Sequence, residues 1–489
     1  MRVLFAASEV FPLAKTGGLA DVCASLPRAL QDLGHEVVIA LPAYPQALDR
    51  LAAREPAVPL PDLPGVELPG VALIPGRLPD GGPRVLLIDA PRWFARPGGP
   101  YGDAEGRDWP DNAERFHGFA RALQAIALDR AGLGWRPDLV HCHDWQTGLV
   151  PALLSPEPER PATVLTVHNQ SYLGRFGRTQ FDALGLPEAW WHPDALEFYG
   201  DFSFLKAGLV FADQLTTVSP TYARELQQPE HGCGLDGLLR GRAGDFTGIL
   251  NGIDTAVWNP ATDPHLARCY DADDVDAGKR ANKVALQAEL GLAVVGEVPL
   301  LVLVSRLVEQ KGIDLVVELI ARWRERPLQW ALLGNGEPRW EEQLRALAAA
   351  LPDRVAVRIG YDEALAHRLE AAGDFFLMPS RFEPCGLNQM YSQRYGTIPV
   401  VHRTGGLADS VVDVFAAGDG TGTGLVFDTP DVATLAATLE RGLSLYRNRA
   451  AWNALRRSAM AADFGWARSA AAYLEVYRRA LAVQDARRG

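Results

Sequence analysis

A rhythm of short apolar runs, each closed by turn residues and followed by a helical pattern, constrains this chain more than any other feature. Residues 2–7 are apolar and short, 18–33 carry apolar residues at helical spacing, and 35–41 are β-branched, which together predict a βαβ unit. The alternation recurs at 84–89, 138–142, 163–167 and 214–218. Strands joined through helices pair in parallel, because the crossover returns the chain to the same end of the sheet. Around residues 248–263 the text becomes I-L-N-G-I-D-T-A-V-W-N-P-A-T-D, rich in turn formers, and a second series of strands follows at 300–304, 329–333, 354–359, 374–378 and 399–402. The expected fold class is α/β with two doubly wound domains. They occupy residues 1–246 and 263–464, separated by a linker at 247–262 and followed by a helical segment at 465–489. Residues 51–83, rich in Pro and Gly, read as loose surface chain.

Composition removes several classes of function. The length of 489 residues, with 48% hydrophobic and 22% charged residues, fits a multi-domain globular chain rather than disorder or a coiled-coil rod. A formal net charge of −12 lacks the basic footprint of a nucleic-acid binder. The five cysteines are scattered and never form C-x-x-C, which argues against a disulfide framework or cysteine zinc site and for a reducing, cytoplasmic setting. No apolar run approaches a membrane span, and the first one is too brief for a signal peptide. Only five of the 48 Lys and Arg residues are lysine (Lys15, Lys206, Lys279, Lys283 and Lys311). A lysine kept against that bias suggests a position that needs a compact, rotatable point charge.

Doubly wound sheets bind ligands outside the carboxyl ends of their strands, so loops directly after strands carry the candidates. Lys15-Thr16-Gly17-Gly18 lies between the first strand and helix, where glycines let backbone N–H groups approach an anion. It matches neither G-x-G-x-x-G nor a Walker loop. Ser305 to Gly312 puts Arg306 and Lys311 on one strand-to-helix loop, two cations suited to a diphosphate and to the charge on a leaving phosphate. Ser380 to Asn388 offers the Glu383 carboxylate for sugar hydroxyls and the Leu387 and Asn388 amides for phosphate. Gly405-Gly406 reads as a repeat of that device. Cys385 reads as a small buried hydrophobe rather than a nucleophile. His141-Cys142-His143-Asp144-Trp145 lacks a third ligand cluster, so a metal is not expected, and Asp144 is a sugar-hydroxyl partner. His168 ends another strand, as a site residue or a satisfied structural histidine. Trp93, Tyr101 and Trp109 read as sugar platforms or core aromatics.

The motifs K-T-G-G-L, H-D-W, T-V-H-N, F-S-F-L-K-A-G, T-V-S-P-T-Y-A, L-N-G-I-D, S-R-L-V-E-Q-K-G, P-S-R-F-E-P-C-G-L and R-T-G-G-L-A-D run in order from residue 15 to residue 409. In this combination the chain resembles the bacterial glycogen synthases and the related starch synthases. The resemblance implies a GT-B glycosyltransferase, two Rossmann-like domains facing across a cleft, with the C-terminal helix returning to the N-terminal domain. It implies ADP-glucose as donor, the non-reducing end of glycogen or another α-1,4-glucan as acceptor, retained anomeric configuration by front-face attack, and no cofactor or metal. Lys15, Gly17, Gly18, Asp21, Asn251, Cys385, Gly386, Leu387 and Asn388 would contact the donor, with Tyr361 stacked on adenine. Arg306 and Lys311 would neutralise the leaving ADP, and Asp144 and Glu383 would hold glucose hydroxyls. The His168 carbonyl would stabilise an oxocarbenium-like transition state, and Tyr101 and Trp145 are expected on the acceptor side. Nucleic acid and membrane are not expected partners, and the oligomeric state is open. Three positions depart from the family pattern: Gly102, where some relatives carry histidine; Asn388, in place of threonine; and Tyr391, where other retaining GT-B families carry a second glutamate. No transit peptide is expected before the first strand. The rival readings are a UDP-glucose-dependent synthase, a pyridoxal-phosphate phosphorylase and a silent glucan-binding protein.

Overall fold

The computed structural model describes residues 1–489 except 67–69, 104, 417–421 and 489, and the side chains of 80 and 488. The chain forms two compact units, Met1–Gly252 with Trp466–Gly489, and Ile253–Gly465.

The first unit is built on β1 (Arg2–Ala6), β2 (Glu36–Pro42), β3 (Val58–Pro59), β4 (Ala72–Arg77), β5 (Arg84–Asp89), β6 (Leu139–His143) and β7 (Ala162–Val167). Three short strands follow, β8 (Arg175–Phe176), β9 (Glu197–Phe198) and β10 (Asp201–Ser203), and then β11 (Gln214–Thr217) and β12 (Phe246–Gly248). The main sheet has the order β12-β11-β7-β6-β1-β2-β5-β4-β3. Its strands pair in parallel except at the β5-β4-β3 edge, which is antiparallel. Order reverses between β1 and β6, and such a switch point opens a crevice at the strands' carboxyl ends. The loops after β1 and β6 carry Lys15 and Asp144.

The second unit is a six-stranded parallel sheet of β13 (Leu300–Val304), β14 (Gln329–Gly334), β15 (Val355–Ile359), β16 (Phe375–Met378), β17 (Ile398–His402) and β18 (Leu425–Phe427). Its order is β15-β14-β13-β16-β17-β18. The switch point lies between β13 and β16, whose following loops carry Arg306, Lys311 and Glu383. Both faces of this sheet are covered by helices, so the central strands are apolar throughout, and Leu301, Leu303, Phe375 and Leu377 pack on one face while Leu300, Val302 and Phe376 pack on the other.

Two expectations need correction. Residues 51–83 are not loose chain throughout: β4 pairs with β5 over six residues. Pro75 and Gly76 mask it in the sequence. β3 pairs only with Ala72 and Leu73, so Pro75 sits at the sheet edge, where a missing N–H is tolerated. A Cβ on Gly76 would lie 2.8 Å from the Ala52 carbonyl oxygen. The 247–262 linker is divided between the units. Thr247 and Gly248 belong to β12, and Trp258 stacks between His367 and Tyr391 with both ring centroids 3.8 Å away.

The helix Trp466–Arg488 packs on the first unit, where Tyr477 Oη bonds His141 Nδ1 at 2.8 Å and Ser469 Oγ donates to the Leu250 carbonyl at 2.6 Å. Three of the rare lysines are buried hubs. Lys206 Nζ donates to the carbonyls of Pro193 and Glu197. Lys283 pairs with Asp374 at 2.7 Å and also reaches the Gly296 carbonyl. Lys279 donates to the carbonyls of Glu370, Ala371 and Tyr395 and to Thr397 Oγ1 at 2.6–3.1 Å, and burial pushes its pKa well below the ordinary value. A planar guanidinium does not fit such a converging set of oxygens. Lys279→Met is expected to cost about 2–4 kcal/mol by leaving buried oxygens short of a donor, with Lys279→Arg no better. Urea denaturation followed by tryptophan fluorescence would measure both.

Candidate active site

In the first unit the loop after β1 is organised by Glu9, a carboxylate only 2% exposed. Thr16 Oγ1 donates to Glu9 Oε1 at 2.6 Å, the Thr16 backbone N–H donates to Oε2, and Tyr101 Oη donates to Oε1 at 2.5 Å. Glu9 therefore sets the path of Lys15-Thr16-Gly17. Lys15 Nζ rests on Asp21 Oδ1 at 2.9 Å. Gly17 opens the helix Gly18–Asp32 with no side-chain cap, and a Cβ added there would meet nothing within 4 Å, so its flank is open to a ligand. Asp21, in the first turn, offsets part of the positive helix end.

Asp144 follows β6 with φ of 57°, a conformation costly for a side-chain-bearing residue and found at functional sites. Its Oδ1 accepts the His168 backbone N–H at 2.7 Å. Burial pushes its carboxyl up to about 7, against the pull of the His168 and Asn169 amides. His168 Nε2 lies 2.9 Å from His143 Nδ1, and burial holds the His168 imidazole down at about 3. Its ring is thus packed against His143, while its backbone is tied to Asp144. Asn251 is buried, and its Oδ1 has no partner among the described residues.

The aromatic platforms resolve differently. Tyr101 supports Glu9 through its hydroxyl, which also bonds Ser8 Oγ at 2.8 Å. Trp145 is buried against Phe116, Phe176 and Phe204, so the expectation of an acceptor platform gives way to a packing role. Trp93 is buried as well. A Cβ on Gly102 would lie 2.5 Å from the Arg107 carbonyl oxygen, which explains why this tight loop carries no side chain there.

In the second unit, Lys311 Nζ meets Glu383 Oε2 at 2.5 Å, and Ser380 Oγ donates to the same oxygen at 3.0 Å. Glu383 is 5% exposed. The two loops are stitched together by Arg381, whose guanidinium grips the Asp314 carboxylate at 2.7 and 2.8 Å and the Glu309 carbonyl at 2.8 Å. Gly312, at φ 67°, passes so near Pro379 that a Cβ would sit 2.2 Å from its carbonyl oxygen. Arg306 stays exposed on the same loop, 3.4 Å from Gln310 Oε1. Gly386, at φ 71°, turns the chain so that Leu387 and Asn388 begin the helix Asn388–Arg394. Asn388 Nδ2 donates to the Val304 carbonyl at 2.7 Å, tying that helix to the end of β13. Cys385 is buried. Tyr361 stands 71% exposed after β15, its hydroxyl on Glu363.

Gly405-Gly406 corrects the sequence reading. The Gly406 N–H is already given to the carbonyls of Glu383 and Pro384 at 3.1 and 3.2 Å, and a Cβ on Gly405 would lie 1.9 Å from the Glu383 carbonyl oxygen. These glycines let β17's loop press against the Glu383 loop and are not a second phosphate cradle. Tyr391, at the place of the absent second glutamate, is the face on which Trp258 stacks. Among the described residues no three His, Cys, Asp or Glu side chains are grouped as a metal ion requires, and no helix is long and apolar enough to cross a membrane. Glu9, Ser380 and Arg381 were missed as site-shaping residues. For Glu9 the signal was present, since a carboxylate directly follows a buried strand at a switch point.

Two doubly wound sheets, with sugar-type partners after β6 and β7 and paired charges after β13 and β16, define a GT-B glycosyltransferase. Residues 2–241 match the family described as the starch synthase catalytic domain, and 292–457 match glycosyl transferases group 1. The chain is 53% identical to a glycogen synthase of Cellvibrio japonicus (strain Ueda107), covering 97% of this chain and 98% of that protein. It is 51% identical to glycogen synthase 1 of Methylococcus capsulatus, over 99% and 98% of the two chains. The catalytic domain of starch synthase IV from Arabidopsis thaliana, solved bound to ADP and acarbose, superposes with a TM-score of 0.88 at 36% identity, covering 98% of this chain and 99% of that one. The chain belongs to the glycogen synthase and starch synthase family.

The Asp144 carboxyl yields a pH test. Its folded pKa lies above the unfolded value, so ionisation favours the unfolded chain, and stability is lost as pH rises from about 4 through about 7. Asp144→Asn keeps an oxygen for the His168 amide and removes that loss. Thermal melting is expected to show the variant gaining stability over the parent above pH 7, with the gain shrinking toward pH 4.

Proposed function

We propose that this enzyme transfers glucose from ADP-glucose to the non-reducing end of an α-1,4-glucan, elongating glycogen with retention of configuration and release of ADP. The observation that carries this reading is the Lys311–Glu383 pair, held at a switch point beside Arg306 and the Leu387-Asn388 turn. A diphosphate needs cations and backbone N–H groups, and a sugar needs a fixed carboxylate; these loops offer both within one stitched unit. The Arabidopsis enzyme's bound ADP and acarbose, and the naming of the bacterial relatives, support nucleotide-sugar and glucan substrates.

In this reading Arg306 and Lys311 stabilise the charge that develops on the leaving phosphate, a contribution strongest in the transition state. Glu383 orients glucose hydroxyls, and Leu387 and Asn388 supply amides to the distal phosphate. Tyr361, with its exposed ring, stacks on the base. In the first unit Lys15, Gly17, Gly18 and Asp21 contribute donor contacts, Asp144 accepts from a sugar hydroxyl, and the His168 carbonyl faces the positive charge that builds on the sugar. The chemistry needs no cofactor or metal, and the setting is cytoplasmic.

Nucleoside diphosphate release in the presence of glycogen and a metal chelator, comparing ADP-glucose with UDP-glucose, tests the reading. ADP release with labelled glucose entering polymer is the expected outcome. Preference for UDP-glucose would overturn the adenine assignment to Tyr361, and release from neither would overturn the transferase reading. Lys311→Ala is expected to lower kcat by roughly 100-fold or more with a much smaller change in donor KM. Equal loss in both would contradict its transition-state role.

A further inference from the structure

His143 ends β6 and His168 follows β7, and their rings meet nitrogen to nitrogen at 2.9 Å, Nδ1 of His143 against Nε2 of His168. Such a contact requires a proton on one nitrogen and a bare lone pair on the other. Burial keeps both rings neutral, so each carries a single N–H and two arrangements exist. In one, His143 donates from Nδ1, its Nε2 is a bare lone pair, and His168 carries its proton on Nδ1. In the other, His168 donates from Nε2, and His143 must carry its own proton on Nε2.

The surroundings of His143 Nε2 separate the two. That atom is buried without a hydrogen-bond partner, and the ring lies against Phe5 and His141 with centroids 4.2 and 4.1 Å away. A buried N–H with no acceptor is rarer and costlier than a lone pair with no donor. The first arrangement is therefore favoured. His141, two residues earlier and equally buried, shows the contrast: its Nε2 meets Thr166 Oγ1 at 2.6 Å and its Nδ1 meets Tyr477 Oη at 2.8 Å. Both of its nitrogens are satisfied, as a purely structural histidine requires.

We infer that His143 is a positioning residue that fixes His168 as the Nδ1–H tautomer and so presents a hydrogen-bond donor to a hydroxyl oxygen of the bound sugar. The His168 ring meets His143 through its Nε2, and its backbone N–H donates to Asp144 Oδ1. A hydroxyl both donates and accepts, and the Asp144 carboxylate with the His168 N–H forms the matching pair. The inference rests on the reading that this strand end holds sugar.

The test is 15N NMR of the substrate-free protein labelled at histidine ring nitrogens, with signals assigned through His143→Gln and His168→Gln. Both His143 and His168 are expected as Nδ1–H, the form less common in free histidine. An Nε2–H on either ring overturns the inference, whatever the enzyme's activity, so its failure is distinguishable from failure of the transferase reading. In kinetics, folded His143→Phe is expected to lose about tenfold or more in kcat with donor KM nearly unchanged. His143→Gln, whose amide N–H can donate to His168 Nε2, is expected to recover most of that loss. Unchanged kcat in His143→Phe, or equal loss in both variants, overturns the positioning role.

Discussion

The second unit is arranged around one ion pair. Glu383 is buried, and a buried carboxylate without a partner would neutralise or destabilise the loop that carries it. Lys311 supplies the partner at 2.5 Å from a different strand-end loop, so the loops after β13 and β16 must approach closely. Gly312 allows that approach where a Cβ would collide with the Pro379 carbonyl oxygen, and Arg381, paired with Asp314, ties the two loops together. The same ammonium is the group that an incoming diphosphate would engage. In the proposed reaction Lys311 would pass from structural counter-charge to electrostatic catalyst once substrate arrives, which a rotatable point charge can do and a planar fork fixed by its hydrogen bonds does less readily.

The units divide the chemistry by charge. Behind the strand ends of the first unit, His141, His143 and His168 are held neutral by burial, and the Asp144 carboxyl is pushed up to about 7. That is a setting for exchanging hydrogen bonds with hydroxyls. The loops of the second unit expose Arg306 and half-bury Lys311, a setting for phosphate. In the proposed reaction the first setting would serve sugar hydroxyls and the second the donor diphosphate, with Lys15 and the Gly17-Gly18 turn adding donor contacts from the first unit.

The sheets were legible because a helix-connected strand buried on both faces leaves an unbroken apolar run, as in β13 and β16. β4 was hidden because Pro75 and Gly76 interrupt its run, and β8 to β10 because two- and three-residue strands carry no period. Asp144 and His168 stood out because they directly follow such runs, Glu383 because it lies in the loop after one, and Lys15 and Lys311 because each is a rare lysine in a strand-to-helix loop. What the linear text could not separate was support from contact. Tyr101 holds Glu9, Trp145 fills an aromatic core, and Gly405-Gly406 serves close packing, yet all three are written in the same residue types that bind sugars and phosphates. Partners distant in sequence decide these roles, such as Glu9 with Tyr101, 92 residues apart.

Hydrogen–deuterium exchange with and without ADP tests the central claim, that the loops after β13 and β16 form one phosphate-binding unit organised by Lys311 and Glu383. ADP is expected to slow exchange in peptides covering 305–312 and 383–390 together, and Lys311→Met is expected to abolish protection of both. Protection of one loop without the other, or undiminished protection in Lys311→Met, would contradict it.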